Sequence, residues 1–220
     1  MYLKVESLHP LISPVNEFPD GELPKNIHEV VSLLKQFTVY GECDNHNLVL
    51  DPLSSDVDLN NFNEVMLFFH GWNTFLRKDY LSSLSSSFLD IEKKLTTWRS
   101  KRERLTYFYG PGDNPDRRSG YIAFNFNNFP VVSFTYGNLR PERLKERMTT
   151  TAVAISLKWV LEMCRDYDFP IERIEAYVNE ENIPSLKVLG ANGFVIDKDR
   201  EKFPATAAKG GFSRFYIRDC

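Results

Sequence analysis

The chain has 220 residues, of which 42% are hydrophobic and 14% aromatic. This composition supports a folded domain with a sizeable core and excludes an intrinsically disordered chain. The formal net charge is only −3, which argues against a dedicated nucleic-acid-binding protein. No run of about 18 consecutive apolar residues occurs, so no membrane-spanning helix and no membrane partner are expected.

The cysteines are few and widely spaced, at Cys43, Cys164 and Cys220, without a Cys-x-x-Cys pair or a His/Cys cluster. This pattern excludes a structural zinc site, and no metal is expected. The first residues lack the charged-then-apolar order of a signal peptide. We therefore expect reduced thiols and a cytoplasmic location.

The first predicted elements are a strand and a helix. Residues 2–8 alternate well enough for a strand, and several prolines then indicate a loop over 10–24. Apolar residues recur at helical spacing over 25–37, which predicts an amphipathic helix beginning near Pro24.

The region of residues 40–104 is predicted to be a helical insertion into the fold. It opens with a polar, turn-rich stretch over 40–63 and a short apolar run over 64–69. An apolar stripe then predicts a long helix over 78–103. The basic cluster over 99–104 is typical of a solvated helix end, with contact to an acidic substrate or nucleic acid as the alternative.

The second half alternates strands and helices. The predicted elements are strands at 105–109, 120–126 and 130–136, a helix at 149–167, a strand at 173–178, a helix at 184–192, and strands at 194–196 and 212–217. Three consecutive strands indicate an antiparallel meander. The helix between the third and fourth of these strands implies one parallel pair. The fold class is therefore α/β (α+β), with a mixed, mostly antiparallel sheet flanked by helices.

The stretch from Val178 to Phe194 carries the most specific pattern in the chain. Asn182 is followed three residues later by Ser185, then by the pair Val188-Leu189 and by Gly193-Phe194. The pattern resembles the segment after the fifth strand of the GNAT acyl-CoA N-acyltransferases. Its Asn-x-x-Ser-x-x-Val-Leu form is similar to the branch that acetylates protein N-termini, including those of ribosomal proteins.

A second match lies upstream, where Arg147 to Ala152 resembles the loop that holds the CoA pyrophosphate in that family. Arg147 and Ala152 fit, whereas Thr150 stands where the family prefers glycine. A helix N-terminus presents unpaired N–H groups and a positive dipole end, which suits a pyrophosphate. The alternative is that the three threonines only cap the helix.

The resemblance implies a set of cofactor-binding residues in these two segments and on the strand before them. They are Phe134, Thr135, Arg147, Thr149, Thr150, Thr151, Ala152, Asn182 and Ser185. Asn182 also suits a helix N-cap, and the two roles are compatible because its amide N–H groups remain available.

The resemblance further implies a single domain over 1–220, with 130–220 as its CoA-binding half. The family's fourth and fifth strands, here 130–136 and 173–178, are splayed apart. A backbone N–H of the fourth strand holds the thioester carbonyl. The implied reaction transfers an acetyl or other acyl group from acyl-CoA to a primary amine of a small molecule, protein or peptide.

The attacking amine must lose a proton, so a general base or a water chain is needed. Strand alternation places Glu175 and Tyr177 on one face of their strand, and we expect Glu175 to be the base and Tyr177 its partner. The alternative is that both are ordinary sheet residues. Many relatives carry a Tyr acid seven residues after the Asn, where this chain has Leu189. Ser185 is the remaining candidate, although a thiolate leaving group hardly needs protonation at neutral pH.

Two other functions are weighed. Thr150 and Leu189 favour a non-catalytic GNAT-like module that binds CoA or a protein. The run from Val65 to Asn73 includes His70-Gly71 and resembles the oxyanion-hole strand of α/β-hydrolases, but no Gly-x-Ser-x-Gly motif and no later His accompany it. The expected partners are acyl-CoA and an amine acceptor, without nucleic acid, and a homodimer is left open.

Overall fold

One mixed sheet organises the part of the chain that the computed structural model describes. The described residues are 10–14, 23–43, 46–53, 97, 100–112, 119–138, 148–179, 182–197 and 213–220. Within them the sheet has nine strands, in the spatial order β1-β2-β3-β4-β5-β6-β7-β9-β8. The strands are β1 Leu11–Pro14, β2 Val39–Cys43, β3 His46–Pro52, β4 Arg104–Pro111, β5 Gly120–Asn128, β6 Val131–Asn138, β7 Arg173–Asn179, β8 Val195–Ile196 and β9 Ser213–Asp219. The labelled helices are α1 Ile27–Leu34, α2 Met148–Asp166 and α3 Ile183–Ala191.

Strands β1 to β6 pair in chain order, each antiparallel to the next. Strand β7 is parallel to β6, to which α2 connects it, and β9 lies antiparallel between β7 and β8. The predicted parallel pair and the predicted mixed, mostly antiparallel sheet are therefore confirmed. The predicted second-half elements all form, and most of them have a clear apolar period of their own, although β8 consists of only two exposed residues.

The main core fills the face of the sheet that carries α1 and α2. Tyr107 and Tyr109 in β4 are fully buried there, as are Phe124 in β5 and Phe134 in β6. Gly41 in β2 lets α2 approach closely, since a Cβ at that position would collide with the side chain of Ile155.

Helix α1 begins with a reciprocal cap. The Asn26 Oδ1 accepts from the Glu29 N–H at 3.1 Å, and the Asn26 Nδ2 donates to Glu29 Oε1 at 2.7 Å. The apolar residues Val30, Val31 and Leu34 face the core. The helix predicted over 25–37 is confirmed over Ile27–Leu34, between the N-cap Asn26 and the C-cap Lys35. No helix within the described ranges combines the length and the apolar character of a membrane-spanning segment.

The prediction of a helical insertion beginning at residue 40 is wrong over its first part. Strands β2 and β3 form a hairpin in the main sheet, with Cys43 paired to His46 at its tip. The sequence predicts a polar, turn-rich stretch over 40–63, yet Leu48 and Leu50 are buried in the core. Asp44-Asn45 between two short alternating runs is a hairpin signal of the kind that turn residues give. Residues 54–96 and 98–99 of the predicted insertion lie outside the described residues. Thr97 and Ser100 are helical, as the helix predicted over 78–103 requires, whereas residues 101–103 are not helical and Arg104 already belongs to β4.

The loop predicted over 10–24 contains strand β1, paired with β2 from Leu11 to Pro14. Proline is tolerated there because β1 is the edge strand and Pro14 is its last residue. The strand predicted over 2–8 lies outside the described residues, and so do the 64–69 run and His70.

Candidate functional site

The parallel strands β6 and β7 pair over only part of their length. Their ladder runs from Val131–Arg173 to Phe134–Ala176, whereas β6 continues to Asn138 and β7 to Asn179. The two strands therefore separate toward their carboxyl ends, as the predicted splayed pair requires. Among the strands that the structure describes they are the sixth and seventh, in the place of the fourth and fifth strands that the resemblance implies.

Two helices begin near the carboxyl ends of β6 and β7, where these strands separate. Helix α2 follows β6, and α3 follows β7 with Asn182 as its N-cap. Neither helix has an acidic residue in its first turn. The carboxyl ends of parallel strands are a common place for ligands in α/β sheets, and helix N-termini favour anions.

The first turn of α2 is held by partners from other elements. The Thr149 and Tyr109 hydroxyls are hydrogen-bonded at 2.8 Å, which ties this turn to β4. The Asn192 Nδ2, beyond the end of α3, donates to the Thr150 carbonyl at 3.3 Å. Both threonine side chains are half-buried. The turn is thus fixed from two sides while part of its surface stays exposed.

The other predicted residues of this turn face inward. Thr151 is 2% exposed and Ala152 is fully buried. Their side chains belong to the core. In a helix that begins at Met148 the N–H groups without an intrahelical partner are those up to Thr150, so Thr151 and Ala152 support this turn by packing. Arg147 lies outside the described residues.

The start of α3 is linked to β6. The Asn182 Oδ1 accepts from the Ser185 N–H at 3.3 Å, which confirms the predicted N-cap. The Tyr136 hydroxyl donates to the Ser185 carbonyl at 3.0 Å. Within the described residues no hydrogen bond engages the Asn182 amide nitrogen, and its side chain is exposed. It is therefore available to an incoming ligand.

Phe134 is a core residue. Its ring lies 5.1 Å from that of Phe124 and 5.7 Å from those of Tyr136 and Phe194, measured between centroids. Phe134 can therefore offer only its backbone to a cofactor, whereas Thr135, the next residue of β6, is exposed. Leu189 is fully buried as well. The apolar positions of the α3 motif thus serve packing between the helix and the sheet.

Glu175 and Tyr177 lie on the face of β7 opposite to Ile174, Ala176 and Val178, which are all buried in the main core. The predicted shared face is therefore confirmed. Their surroundings differ, since Glu175 is 6% exposed and Tyr177 is 50% exposed. Glu175 pairs across the ladder with Ser133, one position before the last pair, so it lies just below the point of separation.

Sequence reasoning missed Tyr109, Tyr136 and Asn192 as residues that hold the site together. All three bond to partners at least 40 residues away or in another element. The available signal for Tyr109 was its place in an alternating strand, which indicates burial and not a partner.

Neither a protein-family model nor a curated protein matches the sequence significantly. Solved structures do match. Mycobacterium smegmatis RimJ in complex with CoA-disulfide superposes with a TM-score of 0.62 at 14% identity, over 79% of this chain and 82% of that one. The microcin C7 self-immunity acetyltransferase MccE, in complex with acetyl-CoA and AMP, gives 0.61 at 13% identity, over 79% and 92%.

A third match is RimL, a ribosomal L7/L12 alpha-N-protein acetyltransferase in complex with coenzyme A. Its TM-score is 0.61 at 13% identity, over 78% of this chain and 93% of RimL. At such identities the likeness establishes the fold. The chain therefore has the fold of the GNAT acetyltransferases, and its structural relatives include RimJ and RimL, as the pattern around Asn182 predicted.

Proposed function

We propose that the protein is an N-acyltransferase that transfers an acetyl or other acyl group from acyl-CoA to a primary amine. The observation that carries this proposal is the separation of β6 from β7 beside two helix beginnings without acidic residues. The CoA-bound or acetyl-CoA-bound state of RimJ, MccE and RimL supports it.

The first turn of α2 fits a diphosphate. It offers the positive end of a 19-residue helix and the half-buried threonines Thr149 and Thr150, with no negative charge in the turn. Arg147 adds a cation immediately before the helix in the sequence. The exposed Asn182 at the start of α3 would bind the cofactor arm, with Ser185 beside it.

Acyl-CoA would supply an activated thioester. The chain's own contribution is a backbone N–H at Phe134 or Thr135, on the edge of β6 that faces the separation, which would bind the thioester oxygen. Such a donor stabilises the negative charge that develops on the oxygen during attack. Holding amine and thioester together would supply much of the remaining rate enhancement.

Glu175 is the proposed general base, with Tyr177 as its partner toward solvent. Glu175 is buried near the point of separation and Tyr177 is exposed beyond it. The pair could therefore pass a proton from an amine with a pKa near ~10 toward solvent.

The leaving thiolate has no tyrosine acid in this chain, because the corresponding position is Leu189 and lies in the core. Ser185 is the proposed polar group nearest that role. A thiol pKa near ~8.5 makes protonation of the leaving group a minor requirement at neutral pH.

For the acceptor we propose the α-amine of a protein or peptide. RimL is described by its name as acting on the α-amine of a ribosomal protein, and its structure matches 78% of this chain. MccE is named as a microcin C7 self-immunity acetyltransferase, so proteins with this fold also have other roles. The choice of a protein amine over a small molecule therefore depends on the Asn182 to Leu189 pattern.

The test is calorimetric titration of the protein with acetyl-CoA, followed by mass spectrometry of reactions with a panel of peptides and small amines. We expect binding and acetylation of a peptide N-terminus. Absence of binding at millimolar acetyl-CoA would contradict the proposal.

Glu175→Gln should lower kcat by about 100-fold with unchanged CoA affinity, since it removes only the base. Tyr40→Phe, an exposed tyrosine in β2, is a control that should leave both unchanged.

A second candidate is a non-catalytic CoA-binding or protein-interaction module. The buried Leu189 in place of a tyrosine acid and Thr150 in place of glycine favour it. Binding of acetyl-CoA without turnover across the whole amine panel would support this module over the enzyme.

A further inference from the structure

Strand β4 carries two buried tyrosines whose hydroxyls serve different partners. The Tyr107 hydroxyl donates to the Leu34 carbonyl at 3.1 Å and accepts from the Trp159 Nε1 at 2.9 Å, deep in the core. The Tyr109 hydroxyl instead meets the Thr149 hydroxyl at 2.8 Å, in the first turn of α2. Only the second contact reaches the candidate site.

The ring of Tyr109 reaches that turn by crossing strand β5 at Gly120. Gly120 is the cross-strand partner of Tyr109 and also pairs with Asn138 at the end of β6. A Cβ at Gly120 would collide with the Tyr109 hydroxyl and ring and with the Gly137 carbonyl. The glycine thus leaves the space through which the hydroxyl extends from β4 to the start of α2.

Each hydroxyl of this pair can donate to the other or accept from it, so the hydrogen bond can run in either direction. Burial raises the pKa of the Tyr109 phenol well above its usual range, so the hydroxyl keeps its proton at neutral pH. A threonine hydroxyl has one proton and two acceptor lone pairs. If Tyr109 donates to Thr149 Oγ1, the Thr149 proton is left for another acceptor. Thr149 is half-buried, so that acceptor can come from outside.

Building on the proposed function, we propose that Tyr109 is a positioning residue for the donor's diphosphate. Its hydroxyl donates to Thr149 Oγ1 and so directs the Thr149 O–H toward an anionic oxygen at the start of α2. Tyr109 itself does not touch the ligand.

The test compares wild type, Tyr109→Phe, Thr149→Val and Thr149→Ser by calorimetric titration with three ligands. CoA and 3′-dephospho-CoA carry the diphosphate, and pantetheine lacks it. Tyr109→Phe and Thr149→Val should each weaken both diphosphate ligands by roughly tenfold, the scale of one hydrogen bond to a charged group, and leave pantetheine within about twofold. Thr149→Ser should retain affinity because it keeps the hydroxyl.

The effects of Tyr109→Phe and Thr149→Val on CoA affinity should also be non-additive, because both substitutions remove the same Tyr109–Thr149 hydrogen bond. The double variant Tyr109→Phe/Thr149→Val should bind CoA about as well as Thr149→Val alone. Tyr107→Phe is the matched control: it removes a buried hydroxyl from the same face of β4, so it should lower the melting temperature without changing CoA affinity.

Several outcomes would overturn the inference. They are an unchanged CoA affinity in Tyr109→Phe, an equal loss for pantetheine, or a loss in Tyr107→Phe as large as that in Tyr109→Phe. If Tyr109→Phe fails to fold, Thr149→Val is compared with Thr149→Ser. Equal CoA affinity in these two variants would overturn the role of the Thr149 hydroxyl. Failure of wild type to bind CoA would instead refute the proposed function from which the inference starts.

Discussion

The first turns of α1 and α2 are held in place in opposite ways. Helix α1 is closed by its own residues: Asn26 and Glu29 bond reciprocally, and the Lys25 N–H donates to Glu29 Oε2 at 2.7 Å. Helix α2 has no acid in its first turn and is held by Tyr109 from β4 and by Asn192 from beyond α3.

Because of this difference, the beginning of α1 is suited to stabilising the fold and the beginning of α2 is suited to binding an anion. A self-capped helix satisfies its N–H groups locally and places a carboxylate against the positive helix end, which leaves little attraction for an external anion. A helix beginning that is fixed from outside, with no negative charge of its own, keeps that attraction. The two helix starts can therefore be altered separately, and each change has a distinct expected result.

The largest effect is expected when the start of α2 is made to resemble that of α1. Thr150→Glu places a carboxylate in the first turn, where it should repel the diphosphate. We expect CoA affinity to fall by about 100-fold, or roughly 3 kcal/mol, with little change in melting temperature. Titration calorimetry and thermal unfolding measure the two quantities. Ser32→Glu on the exposed face of α1 adds the same charge elsewhere and should leave affinity unchanged.

A smaller effect is expected from loosening the outside hold on α2. Asn192→Ala removes the donor to the Thr150 carbonyl and to the Val188 carbonyl, the latter at 2.9 Å. The free energy of unfolding should fall by roughly 1–3 kcal/mol, since Asn192 is buried, and CoA should bind several-fold more weakly. Asn127→Ala, at an exposed asparagine in β5, is the control. Full CoA affinity in a destabilised Asn192→Ala protein would show that this contact serves stability alone.

The smallest effect is expected at α1. Asn26→Ala removes the cap and should lower the free energy of unfolding by about 1 kcal/mol without altering CoA affinity. Chemical denaturation and titration calorimetry check the two parts. A clear loss of CoA affinity in this variant would contradict the division between a stabilising and a binding helix start.

The elements of the second half and the two motifs within it could be predicted from the amino-acid sequence. Most of those elements have an apolar period that can be seen in one short window, and the cap formed by Asn182 is a local contact with Ser185, three residues on. Alternation also placed Glu175 and Tyr177 on one face. The hairpin of β2 and β3 was missed because its strands are short and rich in polar residues, and only the sheet around them shows which face they bury.

The tertiary structure alone decided how the candidate site is assembled. It turned Thr151 and Ala152 inward, left Tyr177 exposed while burying Glu175, and brought Tyr109 to Thr149 and Asn192 to Thr150. These last pairs are 40 and 42 residues apart in the chain. A local pattern of apolar and polar residues records which side of an element is buried, but the partner of a buried hydroxyl or amide is set by how the strands and helices pack.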